Sequence, residues 1–140
     1  MTHSLNVKQI QKIFDESPCI SFMQLKVISI DPVLEKIVVR MPWRSEFEKR
    51  SGTKQYHNGI VFALIDIVGD FVIARKKGGI VPTINFRIDF INPAIGKYLI
   101  ATATIRKLEP FIGVVDVEAH DDKGTSVSYT HLTLPTTPYV

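Results

Sequence analysis

The stretch His57 to Lys77, HNGIVFALIDIVGDFVIARKK, decides the fold. It is long enough for about five helical turns and apolar nearly all round, so it reads as a buried helix that the rest of the chain wraps. Upstream, Pro42 to Tyr56 (PWRSEFEKRSGTKQY) is polar and contains Gly52, the composition of a loop carrying one helical turn. Farther upstream, the Val- and Ile-rich runs Phe22 to Ile30 and Leu34 to Met41 predict a hairpin joined through Asp31-Pro32. Before them, Val7, Ile10, Ile13 and Phe14 recur at helical spacing, which predicts a short amphipathic helix over Val7 to Glu16, stopped by Ser17-Pro18. Beyond the Gly78-Gly79 break come three strand-like runs, Val81 to Ile91, Lys97 to Lys107 and Phe111 to His120. The expectation is a single α+β domain over residues 1–125, with about five strands around one buried helix.

Composition narrows the function. Of 140 residues, 45% are hydrophobic and 22% charged, which suits one compact domain. With a single cysteine, Cys19, no disulfide forms within the chain, so the expected setting is the reducing cytoplasm, and multi-thiolate zinc sites are excluded. The four histidines, His3, His57, His120 and His131, show no ligand spacing, and no phosphate-binding glycine loop precedes a helix, so neither a metal nor a cofactor is expected. The N-terminus lacks a signal-peptide core, and the longest apolar run is broken by Asp66 and Asp70, which argues against a membrane span. A net charge of +3 without a Lys/Arg block interleaved with aromatics argues against nucleic acid; an anionic small molecule explains it equally well.

Asp66 and Asp70 stand four apart on one face of the apolar helix, where an ionised carboxylate is costly unless it is paired or solvated. Each either takes a structural partner, such as Arg75, Arg87 or a backbone N–H, or does chemistry, since a desolvated carboxylate is a stronger base. Of the two, Asp66 is preferred as general base or nucleophile, because Asp70 lies a turn deeper. Asn58 is a good residue to cap the start of the helix, and Gly59 after it lets a ligand or backbone come close. The unpaired N–H groups of that helix start suit a carbonyl oxygen that becomes negative. His57 and Asp66 would border one pocket if the chain curls at the cap.

The run Gly52 to Ala74, with His57, Gly59 and Asp66 spaced as they are, followed by Thr83 to Ala94 (TINFRIDFINPA), resembles the hotdog-fold acyl-CoA thioesterases of the PaaI-like branch. The resemblance covers roughly Ser21 to Gly124. It implies a hotdog fold, a long central helix wrapped by a curved antiparallel sheet, and a homodimer or dimer of dimers whose sites lie between subunits. It further implies hydrolysis of a small or medium acyl-CoA. Position by position, Asp66 matches the acid that activates water or attacks the thioester, and the Asn58 N–H the oxyanion donor. His57 matches the histidine beside that donor, and Thr83 a strand hydroxyl that holds the attacking water. A second carbonyl-binding amide, six residues before the histidine, falls on Ser51, with Gln55 close by as a substitute. For the CoA phosphates the cations on offer are Arg75-Lys76-Lys77 and, favoured by the resemblance, Arg106-Lys107.

The family would continue a final aliphatic strand after Lys123-Gly124, whereas SVSYTHLTLPTTPYV is rich in Thr and Pro. Pro135 and Pro138 oppose ladder pairing. Residues from about Ser126 are therefore expected to be foreign to the domain, the product of a frame change or an assembly error, and to replace the last strand imperfectly. Two alternatives to hydrolysis share the fold: a non-catalytic acyl-CoA-binding module, with Asp66 merely structural, and a dehydratase.

Overall fold

A computed structural model describes residues 4–136. Helix α1, Val7–Glu16, begins at a capping box in which Asn6 Oδ1 accepts from the Gln9 N–H and Gln9 Oε1 accepts from the Asn6 N–H. The expected strand from Phe22 is shortened by a second helix, α2, Pro18–Met23. Ser17 ends α1 but also caps α2, and Pro18, with its preset φ, occupies the first helical position, so the same dipeptide both stops and starts a helix. Gln24 then turns left-handed (φ 57°) and releases strand β1, Lys26–Asp31. The predicted hairpin to β2, Lys36–Pro42, is present, its turn held by Asp31 Oδ1 accepting from the Val33 and Leu34 N–H groups.

The polar loop carries one 3-10 turn, Ser45–Phe47, and leads to the long helix α3, Asn58–Lys77. Gly78 closes α3 in the left-handed conformation (φ 76°). Arg75 and Lys76 both grip Glu35, at 3.2 and 2.7 Å, and so tie the end of α3 to the β1–β2 turn. Arg75 is 5% exposed. The buried Arg75 is thereby committed to the fold, which removes it as a phosphate ligand.

Strands β3 (Asn85–Phe90), β4 (Tyr98–Leu108), β5 (Ile112–Asp121) and β6 (Ser126–Pro135) complete one antiparallel sheet of six strands, in the order β1-β2-β4-β5-β6-β3. The sheet is one strand larger than expected because the Thr- and Pro-rich segment forms β6, paired on one side with β5 and on the other with β3. Pro135 closes the ladder opposite Ile112, at the strand end where a missing N–H costs least; Pro138 lies outside the described residues. Alternate β6 residues from Ser128 to Leu134 point into the core, and two of them are polar: Ser128 Oγ and Thr130 Oγ1 are buried with no hydrogen-bond partner.

The hotdog architecture follows from how α3 crosses the curved sheet. Val61, Leu64, Ile65, Val68 and Val72 are buried against Ile37, Val39, Val115, Val117 and Leu132, and the small Ala101 and Ala103 on β4 leave room for the helix. Each such aliphatic side chain contributes about 1.5–3 kcal/mol on full burial. Phe14 meets Phe71 edge to face, ring centroids 4.9 Å apart, and packs α1 on the far part of α3. No helix among the described residues is long and apolar enough to cross a membrane.

Candidate active site

At the start of α3 the cap is His57, one residue earlier than the sequence suggests. Its Nδ1 accepts from the Gly59 N–H at 2.8 Å, and its carbonyl accepts from Ile60 and Val61. An accepting Nδ1 is unprotonated, so the ring proton of the neutral imidazole sits on Nε2, the nitrogen turned away from the cap. A Cβ at residue 59 would stand 3.0 Å from His57 Nδ1, so the glycine makes room for the capping ring. Asn58 thus occupies the first helical position, and among the described residues its N–H is the one first-turn amide that donates to nothing. This is a free dipole-aligned donor of the kind that receives a developing oxyanion.

Asn58 and Gln55 border the same cleft, of about 210 Å³, whose far wall is Phe90 and Ile91. Gln55 is half-buried and bridges to Ile95. Ser51 lies instead in an exposed turn, so of the two sequence candidates for a second amide, Gln55 is the one brought to Asn58. Arg106 and Lys107 are on the surface of β4, beside a bulge, and both are paired: Arg106 with Asp116, and Lys107 with Glu109 at 2.9 Å. Burial alone would raise the Asp116 carboxyl, but hydrogen bonds from Arg106, Tyr129 and His131 outweigh it and hold the group below the ordinary range.

Asp66 follows about two turns down α3 and Asp70 about three, both half-buried. Neither pairs with Arg75 or Arg87, the structural partners the sequence offered; Arg87 pairs with Asp89. Their partner is Thr83, whose Oγ1 is 2.6 Å from Asp66 Oδ1 and 2.8 Å from Asp70 Oδ1. Thr83 is not on a strand, as expected, but in the extended segment just before β3, where its hydroxyl points back to the helix. Burial, and then the neighbouring Asp66 charge, push the Asp70 carboxyl up to about 7 against the opposing Thr83 hydrogen bond. The sequence carries one sign of the Thr83 link to Asp70, an acid four residues after another on an apolar helix.

One expectation fails on geometry. A regular helix capped by His57 does not curl back, and eight residues from Asn58 to Asp66 at 1.5 Å each set them about 12 Å apart along the axis. One copy of the chain therefore keeps its free amide and its acid apart.

The sequence model of the thioesterase superfamily matches residues 56–128, from the start of α3 into β6. No curated protein matches the sequence. Among solved structures, the E. coli PaaI protein from the phenylacetic acid degradation operon is 22% identical, with a TM-score of 0.79 over 91% of this chain and 90% of that one. Zebrafish thioesterase superfamily member 2 is also 22% identical (TM-score 0.82, 96% and 100% covered), and a thioesterase from Haemophilus influenzae is 15% identical (TM-score 0.83, 96% and 92%). At these identities the likeness is one of fold. Since the family model spans more than half of its length, this chain belongs to the thioesterase superfamily.

Proposed function

We propose that the protein is a cytoplasmic acyl-CoA thioesterase that converts a small or medium acyl-CoA, aromatic ones included, to free acid and CoA. The observation that carries this reading is the Asp66–Thr83 pair. Thr83 donates to Asp66 Oδ1, while Asp66 Oδ2 has no partner among the described residues and is free to take a proton. In the reaction, Asp66 removes a proton from water as its oxygen bonds to the thioester carbon. The carbonyl oxygen becomes an oxyanion held by the Asn58 N–H, with Gln55 as the second donor and the His57 Nε2–H beside it. The C–S bond then breaks, and the CoA thiolate leaves and takes up the proton from Asp66. An oxyanion donor of this kind contributes about 3–4 kcal/mol, and general-base help about 10²–10⁴-fold.

A reacting carbonyl has to stand about 3 Å from both donor and base, and one copy separates them, so the reading requires a second copy to complete each site. Support for a homodimer, or a dimer of dimers, comes from the exposed apolar face beside the acid. Phe62 is 42% exposed and touches Phe86 (centroids 4.1 Å), and β3 is a free sheet edge that ends in Phe90 and is flanked by Ile84 and Ile91. Arg106 and Lys107 remain candidates for the CoA phosphates once a ligand competes with Asp116 and Glu109 for them. The test is CoA release from a panel of aliphatic and aromatic acyl-CoAs, with folding followed by circular dichroism. Turnover supports the reading; a folded chain that binds acyl-CoA without turnover makes it a binding module instead.

A further inference from the structure

One hydroxyl stands between two carboxyls, and a hydroxyl has one proton. Thr83 Oγ1 is within hydrogen-bond distance of Asp66 Oδ1 and of Asp70 Oδ1 at once. If both acids were ionised, one of these two O···O contacts would hold no proton, with two lone pairs facing each other in a half-buried place. The contacts are satisfied together only when one acid carries a proton, so that a chain of two hydrogen bonds runs through the threonine. No Lys, Arg or His side chain lies within 4 Å of either carboxylate among the described residues, so no cation is present to relieve the pair. The charged neighbour that acts on Asp70 is Asp66 on the same helix face, and the group facing it from the segment before β3 is Thr83, which does not titrate.

We propose that Asp70 is a positioning residue that holds this proton: its O–H donates to Thr83 Oγ1, and the Thr83 O–H is thereby turned onto Asp66 Oδ1. The inference rests on Asp66 being the base of the proposed hydrolysis. Its consequence is directional. While Asp70 is protonated, the threonine has its acceptor side occupied and its one proton committed to Asp66, so Oδ2 of Asp66 is oriented toward water. When Asp70 ionises, two carboxylates compete for the Thr83 proton, and Asp66 loses its fixed partner. No atom of Asp70 touches substrate; it acts through Thr83. The direction of the Asp70 shift, upward, agrees with this assignment of the proton.

The experiment combines carboxyl 13C NMR titration of the full chain with the pH dependence of kcat/KM for the best acyl-CoA of the panel, on the parent, Asp66→Asn, Thr83→Val and Asp70→Asn. The relay predicts that Asp70 titrates near neutrality in the parent and about one pH unit or more lower in Asp66→Asn, where the like charge is gone. It also predicts a bend in kcat/KM, of about threefold or more, at the pH where Asp70 titrates, absent from Asp70→Asn, whose amide donates to Thr83 at every pH. Asp70 titrating in the ordinary carboxylate range, or alike with and without the Asp66 charge, overturns the proposal. So does a coupled titration with no bend in kcat/KM, since a merely structural acid would behave that way. If no acyl-CoA turns over but the coupled titration is present and changes in Thr83→Val, the proton assignment stands and the thioesterase reading fails.

Discussion

Gly69 of α3 lies directly against Leu132 of β6: a Cβ at position 69 would meet Leu132 Cδ2 at 2.8 Å and Val117 Cγ2 at 3.3 Å. Here the helix comes close against the sheet, one residue before Asp70. Alanine at 69 would gain about 1 kcal/mol of helix propensity, but Leu132 and Val117 are fully buried and have nowhere to retreat. Gly69→Ala is expected to destabilise by about 1–3 kcal/mol, measured as a lowered denaturation midpoint at unchanged slope.

Asp66→Asn keeps the shape and accepts the Thr83 hydrogen bond, but it cannot take a proton. Loss of at least about a hundredfold in kcat with intact circular dichroism is expected. A smaller loss would remove Asp66 from the role of base.

The raised Asp70 carboxyl makes stability depend on pH in a definite direction. Unfolded, the group ionises near its ordinary 3.8; folded, it keeps its proton up to about 7. The native state therefore binds the extra proton between these values, and stability from this group is complete below the lower one and is lost as pH rises through the upper, at up to about 1.4 kcal/mol per unit. Asp70→Asn should be closer to the parent in melting temperature near pH 5 and gain on it toward pH 8. A parallel pair of curves would contradict the shift.

Thr130 Oγ1 is buried without a partner, so Thr130→Val removes an unsatisfied group at nearly constant shape. A stabilisation of about 1 kcal/mol is expected in urea unfolding, where most core substitutions would destabilise.

Phe62→Glu places a charge on the exposed apolar face beside the acid. Sedimentation should report a shift to monomer, and kcat/KM should fall together with the dimer fraction although no atom of Asp66 is altered. A dimeric Phe62→Glu that keeps its activity would place the interface elsewhere.

The parts of this fold that sequence announces are those with a local cause. Three-four apolar spacing and the Ser17-Pro18 stop mark α1, and an apolar run closed by Gly78 marks α3. The parts that sequence conceals have competing local causes. Ser17-Pro18 serves a helix end and a helix start equally, which hides α2, and a Thr- and Pro-rich composition hides β6, whose place is fixed by nine paired positions on β5 and six on β3 rather than by its own propensity. His57 and Asn58 are both able to cap, and only the ring contact to the Gly59 N–H distinguishes them. In the site, Asp66 was recognisable because an acid on an apolar helix needs a reason. Its partner lies 17 residues away beyond the end of α3, and that Thr83 also serves Asp70 is a matter of tertiary geometry that no spacing encodes.

Because β3 is joined to the sheet through β6, the Asn85 to Thr133 pairing spans 48 residues (133 − 85). A nascent chain that has reached Gly124 already carries α3, β4 and β5 but leaves β3, with Phe86, Ile88 and Phe90, without its neighbour. Assembly of that margin must wait until β6 is synthesised, and the closure of so long a loop is slow. During synthesis the interval before β6 docks is thus when this protein is most exposed to pairing β3 with the wrong strand, including one from another copy of itself.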